Sequence, residues 1–358
     1  MTRGSISRTS IVVAALALAS GGLVGCEESP DRAPSSTAPR RAQTVAPSAS
    51  ARSTATATSA PSAKAALPEP ASPEIAEACK AFIPPWGDGY WVDWGQAKPE
   101  QAENWFGTVE KDMAKADLTA LPKCGHLDNL FVGWSKLESL DAIAELGQLR
   151  RLDLRNLTKI TDLKPLEKLQ NLEYLNINAT GVTDLSPLTK LPKLRVVEAR
   201  DLKLTDAATV AKMAALESID LLATPITDVT PLAKAPKLEK VLVCTTKVED
   251  LKPLLPVKDR ITAIDVCGTP FRDFPLLAKF DKLKALRLTG LPIDDLSIVA
   301  KLKDLEELDL SMTPVKTLGP LHGLKKLRKL MMLKMELPAK EYRDLEKAVP
   351  GVKIVLEM

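Results

Sequence analysis

Apolar residues between positions 127 and 337 recur with a period that belongs neither to a helix nor to a strand. In "LEYLNINATGVTDLSPLTKL", from Leu172 to Leu191, the spacing fits neither 3.6 nor 2 residues throughout. Nearly the same string returns from Leu216 and from Leu305. Ten such units, which we number as coils 1 to 10, begin at Leu127, Leu149, Leu172, Leu194, Leu216, Leu238, Ile261, Leu283, Leu305 and Leu327. A fixed period of 22 or 23 residues is typical of a solenoid.

The apolar positions within one coil predict its path. Counting the first residue as position 0, positions 0, 3 and 5 predict a short strand, with the side chains at 3 and 5 pointing inward. Positions 10, 13, 16 and 19 predict a returning segment that also faces inward. Position 15 is often Pro, and Ser186 or Thr230 before it predicts the cap of a single helical or 3₁₀ turn. One coil cannot bury seven apolar side chains alone, so the coils must stack.

This pattern resembles the leucine-rich repeat family in its short, internalin-like bacterial form, "LxxLxLxxTxITDLxPLxxL". The resemblance covers residues 127–337 and implies an α/β solenoid. Such a fold is an arc with a parallel β-sheet on its concave face and short 3₁₀ or helical turns on its convex face. Residues 338–358 resemble the helix-plus-strand cap that closes such arrays. The family usually has Asn at position 8, where this chain mostly has Thr, which can satisfy fewer backbone groups in the turn.

Positions 2, 4 and 6 should form the concave face, where the family usually binds partners. In coils 1 to 4 this face combines aromatic residues and arginines, which are enriched where binding energy concentrates. The candidate partner-binding residues are Phe131, Arg151, Asp153, Arg155, Tyr174, Asn176, Asn178, Glu198 and Arg200. We expect a protein partner here, with alanine at Phe131, Arg155 or Tyr174 weakening its capture and leaving the fold intact. The alternative is a solvated face on a structural or spacer protein without a specific ligand.

The N-terminal residues predict export and lipid attachment. Residues 1–25 have the layout of a secretory signal peptide, with two arginines, an apolar run and then small residues. They lead into "LVGC", which resembles the lipobox of bacterial lipoproteins and implies that Cys26 carries the lipid. The resemblance implies a chain held at the bacterial membrane by lipid alone, and Glu27 in place of Asp favours the outer membrane, facing the periplasm or the surface. The alternative is an ordinary secreted protein or a retained leader.

Two further segments precede the first coil. Residues 26–72 are dominated by Ala, Ser, Thr and Pro, which predicts a disordered tether. Residues 73–126 are rich in Trp and are expected to cap the apolar end of coil 1. The aromatic side chains available for this are Trp86, Trp91, Trp94 and Trp105. The alternative is an aromatic pocket for a sugar or a peptide, since "WGDGYWVDW" alternates rings with acids.

Four cysteines remain besides Cys26, and export to an oxidising space favours their pairing. Cys79 and Cys124 bracket the cap, so a bridge between them would fasten it. Cys244 and Cys267 occupy position 6 of adjacent coils, which places their Cα atoms about 5 Å apart. We expect either a reducible bridge or a free pair there. No Cys-x-x-Cys motif or histidine partner accompanies them, so no metal site is expected.

The net charge and the absence of known motifs argue against nucleic-acid binding, binding to an anionic membrane surface and catalysis. Removing the two leader arginines from 49 basic residues leaves 47 against 46 acidic residues. This balance gives no reason to expect nucleic acid or an anionic membrane surface as a partner. The chain contains none of the common catalytic or nucleotide-binding motifs, so we expect neither an enzyme nor a cofactor, and we expect a monomer. An enzyme or redox protein that uses the cap or the Cys244–Cys267 pair stays the remote alternative.

Overall fold

The computed structural model describes residues 70–82, 114 and 116–357, which belong to one compact unit spanning 64–358. The expected leader, the lipidation site Cys26 and nearly all of the tether lie outside the described residues. So do the four tryptophans between positions 86 and 105. The structure therefore bears on the repeats, on both ends of the cap segment and on the C-terminal tail.

Eleven short strands in the described chain form one parallel sheet whose order follows the sequence. The strands are β1 (Asn129–Phe131), β2 (Arg151–Asp153), β3 (Tyr174–Asn176), β4 (Val196–Glu198), β5 (Ser218–Asp220), β6 (Lys240–Leu242), β7 (Ala263–Asp265), β8 (Ala285–Arg287), β9 (Glu307–Asp309), β10 (Lys329–Met331) and β11 (Lys353–Val355). Strands β1 to β10 each occupy positions 2 to 4 of one coil. The predicted solenoid, with one strand in every repeat, is confirmed.

Equivalent positions of neighbouring coils lie directly over one another. Leu130 pairs with Leu152, which pairs in turn with Leu175, and the same register continues to the last coil. The position 3 side chains of all ten coils are at most 1% exposed. Each coil thus covers the apolar layer of the one before it, which is why the pattern repeats.

The N-terminal boundary of the folded part falls where composition changes. Helix α1 (Pro73–Cys79) begins after Ser72, whose Oγ accepts the N–H of Ile75 at 3.3 Å. Two 3₁₀ turns, Lys80–Phe82 and Leu118–Lys123, flank the segment outside the described residues. Cys79 and Cys124 are joined by a disulfide with a Cα–Cα distance of 5.7 Å, so α1 is fastened to the entrance of coil 1.

The convex side consists of single turns. Three of them are short α-helices, α2 (Asp141–Ala144), α3 (Thr230–Lys234) and α4 (Phe274–Leu277). The others are the 3₁₀ turns Lys164–Lys168, Ser186–Lys190, Ala208–Lys212, Lys252–Val257, Val299–Lys301 and Gly319–Gly323. Ser186 and Thr230 begin their turns but do not cap them, contrary to our expectation. The acceptor is the aspartate two residues earlier. Asp184 Oδ1 accepts the Ser186 N–H at 2.8 Å, and Asp228 Oδ1 accepts the Thr230 N–H at 2.8 Å, as in an Asx turn.

Position 7 of every coil adopts the left-handed conformation, with φ between 52° and 72°. Only two of these ten residues are glycine, and the others include Trp134 and the β-branched Thr245. The N–H of position 7 bonds the carbonyl of position 6 in the next coil, as from Trp134 to Arg155 at 3.0 Å. Stacking therefore imposes a backbone conformation that most of these side chains disfavour.

Threonine at position 8 closes the turn in a different way from the Asn of the family. The hydroxyl donates to the carbonyl of position 5 in its own coil at 2.6–2.8 Å. The residues are Thr180, Thr224, Thr246, Thr269 and Thr313, all buried. The hydroxyl therefore closes the turn within its own coil, and Thr313 Oγ1 also contacts Met335 Sδ of the next coil at 3.6 Å.

The C-terminal tail adds one more layer. Helix α5 (Ala339–Ala348) follows coil 10, and β11 pairs in parallel with β10. Glu341 fastens the helix, because its Oε2 accepts the Thr317 hydroxyl at 2.8 Å and the Leu318 N–H at 2.7 Å. Within the described residues, no helix has both the length and the apolar character needed to cross a membrane.

Candidate functional site

Position 4 of the strands carries a buried carboxylate or amide in five coils. These residues are Asp153, Asn176, Asp220, Asp265 and Asp309, at most 7% exposed. In each, Oδ1 accepts the N–H of position 6 in the same coil at 2.9–3.1 Å. Positions 5 and 7 bond the next coil instead, so these side chains satisfy the one amide that the sheet does not. We did not anticipate this structural role, although Asp or Asn at position 4 is the sequence signal for it.

An aromatic and charged cluster lies at coils 1 and 2. Arg155 Nε donates to both carboxylate oxygens of Asp153 at 2.9–3.0 Å, and its terminal nitrogen also bonds Asp153. The guanidinium carbon lies 5.6 Å from the ring centre of Trp134, which contacts Phe131 at 5.8 Å between centres. Burial raises the pKa of Asp153, and the positive charge of Arg155 opposes that rise. The pair is therefore held in one geometry by two carboxylate contacts and a ring.

Glu198 organises the next two coils. It accepts the Tyr174 hydroxyl at 2.7 Å and the side-chain amides of Asn176 and Asn178 at 3.0 Å each. Burial and the negative charge of Glu198 raise the pKa of Tyr174, so the phenol stays protonated and donates. Arg200 continues the network with a bond from Nε to Asp220 Oδ2 at 2.7 Å.

The structure brings the nine candidate residues together on adjacent strands, yet it divides them into two groups. Phe131, Asp153, Arg155, Tyr174 and Asn176 are at most 8% exposed. Since truncating a buried aromatic residue costs about 3–5 kcal/mol, the expectation that Phe131 or Tyr174 tolerates alanine with an intact fold does not agree with their burial.

The second group lies at the surface of the concave face. Its members, Arg151, Asn178, Glu198 and Arg200, are half-buried. We call these four the concave patch. The buried group fixes the positions of the Glu198 and Arg200 head groups, because both are hydrogen-bonded to it or to Asp220.

A second concave region escaped our reading of the sequence. A shallow depression in coils 8 to 10 is lined by Arg287, Glu307, Asp309, Lys329 and Met331, among others. Its mixed charges resemble those of coils 1 to 4 but lack aromatic rings. Charged residues at positions 2 and 4 of coils 8 to 10 are the sequence signal for this region. Our prediction favoured coils 1 to 4 because their concave face also contains aromatic residues.

Cys244 and Cys267 are also disulfide-bonded, and their Cα atoms lie 4.5 Å apart, near the predicted value. The Asp265 carboxylate lies within 4.8 Å of both sulfurs, a grouping that could hold a metal ion. With the sulfurs bonded to each other, however, no thiolate is available as a ligand. Burial raises the pKa of Asp265 to about 6, although the Arg287 charge, with Nη1 at 3.8 Å from Oδ2, opposes the shift.

Comparison with known proteins supports the fold. Residues 147–190 match the family model for leucine-rich repeats in two copies. Internalin InlF of Listeria monocytogenes is 23% identical, with 68% of this chain and 77% of that one covered and a TM-score of 0.53. A search of curated proteins found no match.

Two other solved structures are similar at lower scores. The functional domain of InlJ from Listeria monocytogenes, described as including a cysteine ladder, is 21% identical, covering 69% of this chain and 54% of that one with a TM-score of 0.44. A leucine-rich repeat protein of Leptospira interrogans is 15% identical, covering 69% and 97% with a TM-score of 0.38. The matched repeats, the eleven-stranded parallel sheet and the likeness to InlF show that this chain has the leucine-rich repeat solenoid fold.

Proposed function

We propose that this protein is a lipid-anchored component of the bacterial cell envelope that binds a protein partner through the concave patch. The anchor would be Cys26, and the tether after it would let the solenoid reach a partner at a distance from the membrane. The outer membrane is the favoured location, because Glu27 follows the cysteine. No catalytic step is part of this function.

The arrangement around Glu198 is the observation that carries the proposal. Three donors converge on one half-buried carboxylate, and Arg200 is fixed beside it by Asp220. Side chains that are already ordered lose little entropy when a partner binds, which favours affinity. Arginine is also enriched among the residues that dominate binding energy. A merely solvated face would not require such a network.

Site-specific photocrosslinking in the cells of origin tests the concave patch. A photoreactive amino acid replaces Asn178, and in a matched chain it replaces Thr183, which is exposed on the other side of the same coil. We expect one discrete protein adduct from position 178 and none from position 183. Adding Arg151→Ala should remove the adduct, with circular dichroism used to verify that the fold is intact. No adduct from position 178, or equal adducts from both positions, would favour the spacer role.

The anchor has a separate test. Wild-type chain should incorporate labelled palmitate and sediment with membranes, whereas Cys26→Ser should do neither. Labelling that persists in Cys26→Ser would reject lipidation at this residue without bearing on the concave patch.

A further inference from the structure

The near-neutral total charge conceals an uneven distribution of charge between the two ends of the convex turns. Lysines recur where the convex turns end and the chain descends to the next strand. In the first row these are Lys168, Lys190, Lys212, Lys234, Lys279 and Lys301, and all but Lys279 are the last residue of their turn. A second row, about three residues later, contains Lys193, Lys237, Lys282 and Lys326. We call these ten residues the basic edge, and all are exposed.

Contacts between coils hold part of the basic edge in place, and the first row is interrupted at coil 6, whose turn ends at Val257. Lys193 Nζ donates to Asn171 Oδ1 of the preceding coil at 2.7 Å, and Asn171 Nδ2 donates to Gly147 O one coil further at 2.9 Å. Because the strands stack in register at about 4.8 Å, the first row extends on the order of 30 Å.

Two members of the basic edge have ion-pair partners, and Asp281 lies in sequence between Lys279 and Lys282. Lys168 pairs with Glu145 at 2.6 Å, and Lys326 pairs with Asp304 at 2.6 Å. Within the part of the chain that the structure describes, Lys190, Lys212 and Lys234 form no ion pair. They lie on three consecutive coils, so their charges add at the same surface.

The other end of the same turns carries a row of aspartates, although Lys164 and Lys252 begin two of those turns. Aspartates that accept the first turn amides recur there as Asp162, Asp184, Asp206, Asp228, Asp250 and Asp295. Hydrogen bonds from Ser186 and Ser297 lower the pKa values of Asp184 and Asp295, so both are charged at neutral pH. A turn of five residues separates the two rows by about 10 Å, roughly one Debye length in physiological salt.

We propose that the basic edge binds an anionic lipid surface. Juxtaposed lysines attract such a surface additively, and lysines repeated at one edge of consecutive coils can contact it together. The acidic row on the other edge would turn the solenoid so that the lysines face the lipid. The short links between the two lysine rows, such as Leu191–Pro192 and Ala235–Pro236, contain no exposed aromatic ring on which a base could stack, which favours lipid over nucleic acid. The interaction does not require the Cys26 anchor.

Vesicle co-sedimentation tests this with the full chain carrying Cys26→Ser, so that lipidation cannot contribute. Vesicles of phosphatidylcholine with 30% phosphatidylglycerol are compared with pure phosphatidylcholine, which measures any contribution from apolar segments. We expect binding only to the anionic vesicles and loss of that binding between 50 and 300 mM salt. The triple variant Lys190→Gln, Lys212→Gln, Lys234→Gln should bind at least tenfold more weakly.

A charge-matched control separates the basic edge from net charge. Lys203→Gln, Lys247→Gln, Lys316→Gln removes three exposed lysines from the opposite side of the turns and should bind like the parent. Equal weakening by both triple variants, or no binding to anionic vesicles at low salt, would overturn the proposal. Binding to single-stranded DNA that is tighter than to vesicles, and lost in the Lys190 triple variant, would also overturn it and identify a nucleic-acid site.

Discussion

Replacing Arg155 by Met tests whether the buried pair at coils 1 and 2 is a framework for the concave patch. Met keeps an unbranched apolar chain beside Trp134 and removes the guanidinium. The Asp153 carboxylate, which is fully buried, then loses its charged partner. Breaking a buried pair in this way costs about 3–5 kcal/mol, because the remaining charge stays out of water. Loss of the contact with the Trp134 ring adds about 0.5–1 kcal/mol.

Protonation limits that cost and gives it a pH dependence. Burial already raises the pKa of Asp153 with Arg155 present, and removing the positive charge raises it further. The folded variant therefore binds a proton that the unfolded chain has released, and its stability falls as pH rises. Urea unfolding followed by far-ultraviolet circular dichroism should show a larger deficit for Arg155→Met at pH 8 than at pH 5.

The double variant Asp153→Asn/Arg155→Met completes the cycle. Asn at position 4 can still accept the position 6 amide, as Asn176 does for Asn178 at 3.0 Å in the next coil. With no buried charge left, the double variant should be about 2–3 kcal/mol more stable than the sum of the single changes implies. If the free-energy changes of the two single variants add in the double variant, the pair is solvated and does not support the concave patch. A loss of less than about 1 kcal/mol of unfolding free energy for Arg155→Met would lead to the same conclusion.

Two further predictions concern single positions. Asp265→Asn should abolish the pH dependence of stability that this carboxyl group causes. Its folded pKa of about 6 exceeds the usual value of 3.8, so the stabilising contribution of Asp265 is full below pH 4 and lost above pH 6. The unfolding free energy of wild type relative to this variant should thus fall by about 2–3 kcal/mol between pH 4 and 7, and a flat difference would contradict the assignment. Thr245→Gly should stabilise the chain by about 0.5–1 kcal/mol, since φ at this exposed position is 52°. Thr183→Gly, where φ is not positive, should destabilise it in the same urea titration, and equal effects would refute the argument.

The core and strand positions could be predicted from the sequence because one constraint is repeated ten times. Leu130, Leu152 and Leu175 each need a neighbour 22 or 23 residues away, and no other register buries all of them. Alternation with period 2 then places positions 2 and 4 on the concave face. The same register therefore identifies which residues of each coil belong to the concave face.

Accessibility on the concave face could not be predicted in the same way. Asp153 and Asn176 have residue types that suggest an exposed polar surface, but each is bound to a backbone amide two residues away. That amide is free only because the sheet bonds positions 5 and 7 to the next coil. The need for a side-chain acceptor at position 4 therefore arises from the hydrogen-bonding pattern of the parallel sheet. That pattern exists only once the coils have stacked.

The same stacking explains how a chain of near-neutral total charge can carry the row of lysines that we propose as a lipid-binding edge. One lysine at the end of one turn, such as Lys212, is an ordinary solvated residue. Repeated at the same place in coils 3 to 5, which lie about 5 Å apart, it becomes a row whose neighbouring members are closer to one another than the Debye length, so an anionic surface meets their combined field. The aspartates at the start of the turns, such as Asp184, cancel this row in the sum but not in space, since they lie on the other edge. For a solenoid the charge at each position of the repeat is therefore the informative quantity, and here it predicts a row of lysines at the ends of the convex turns.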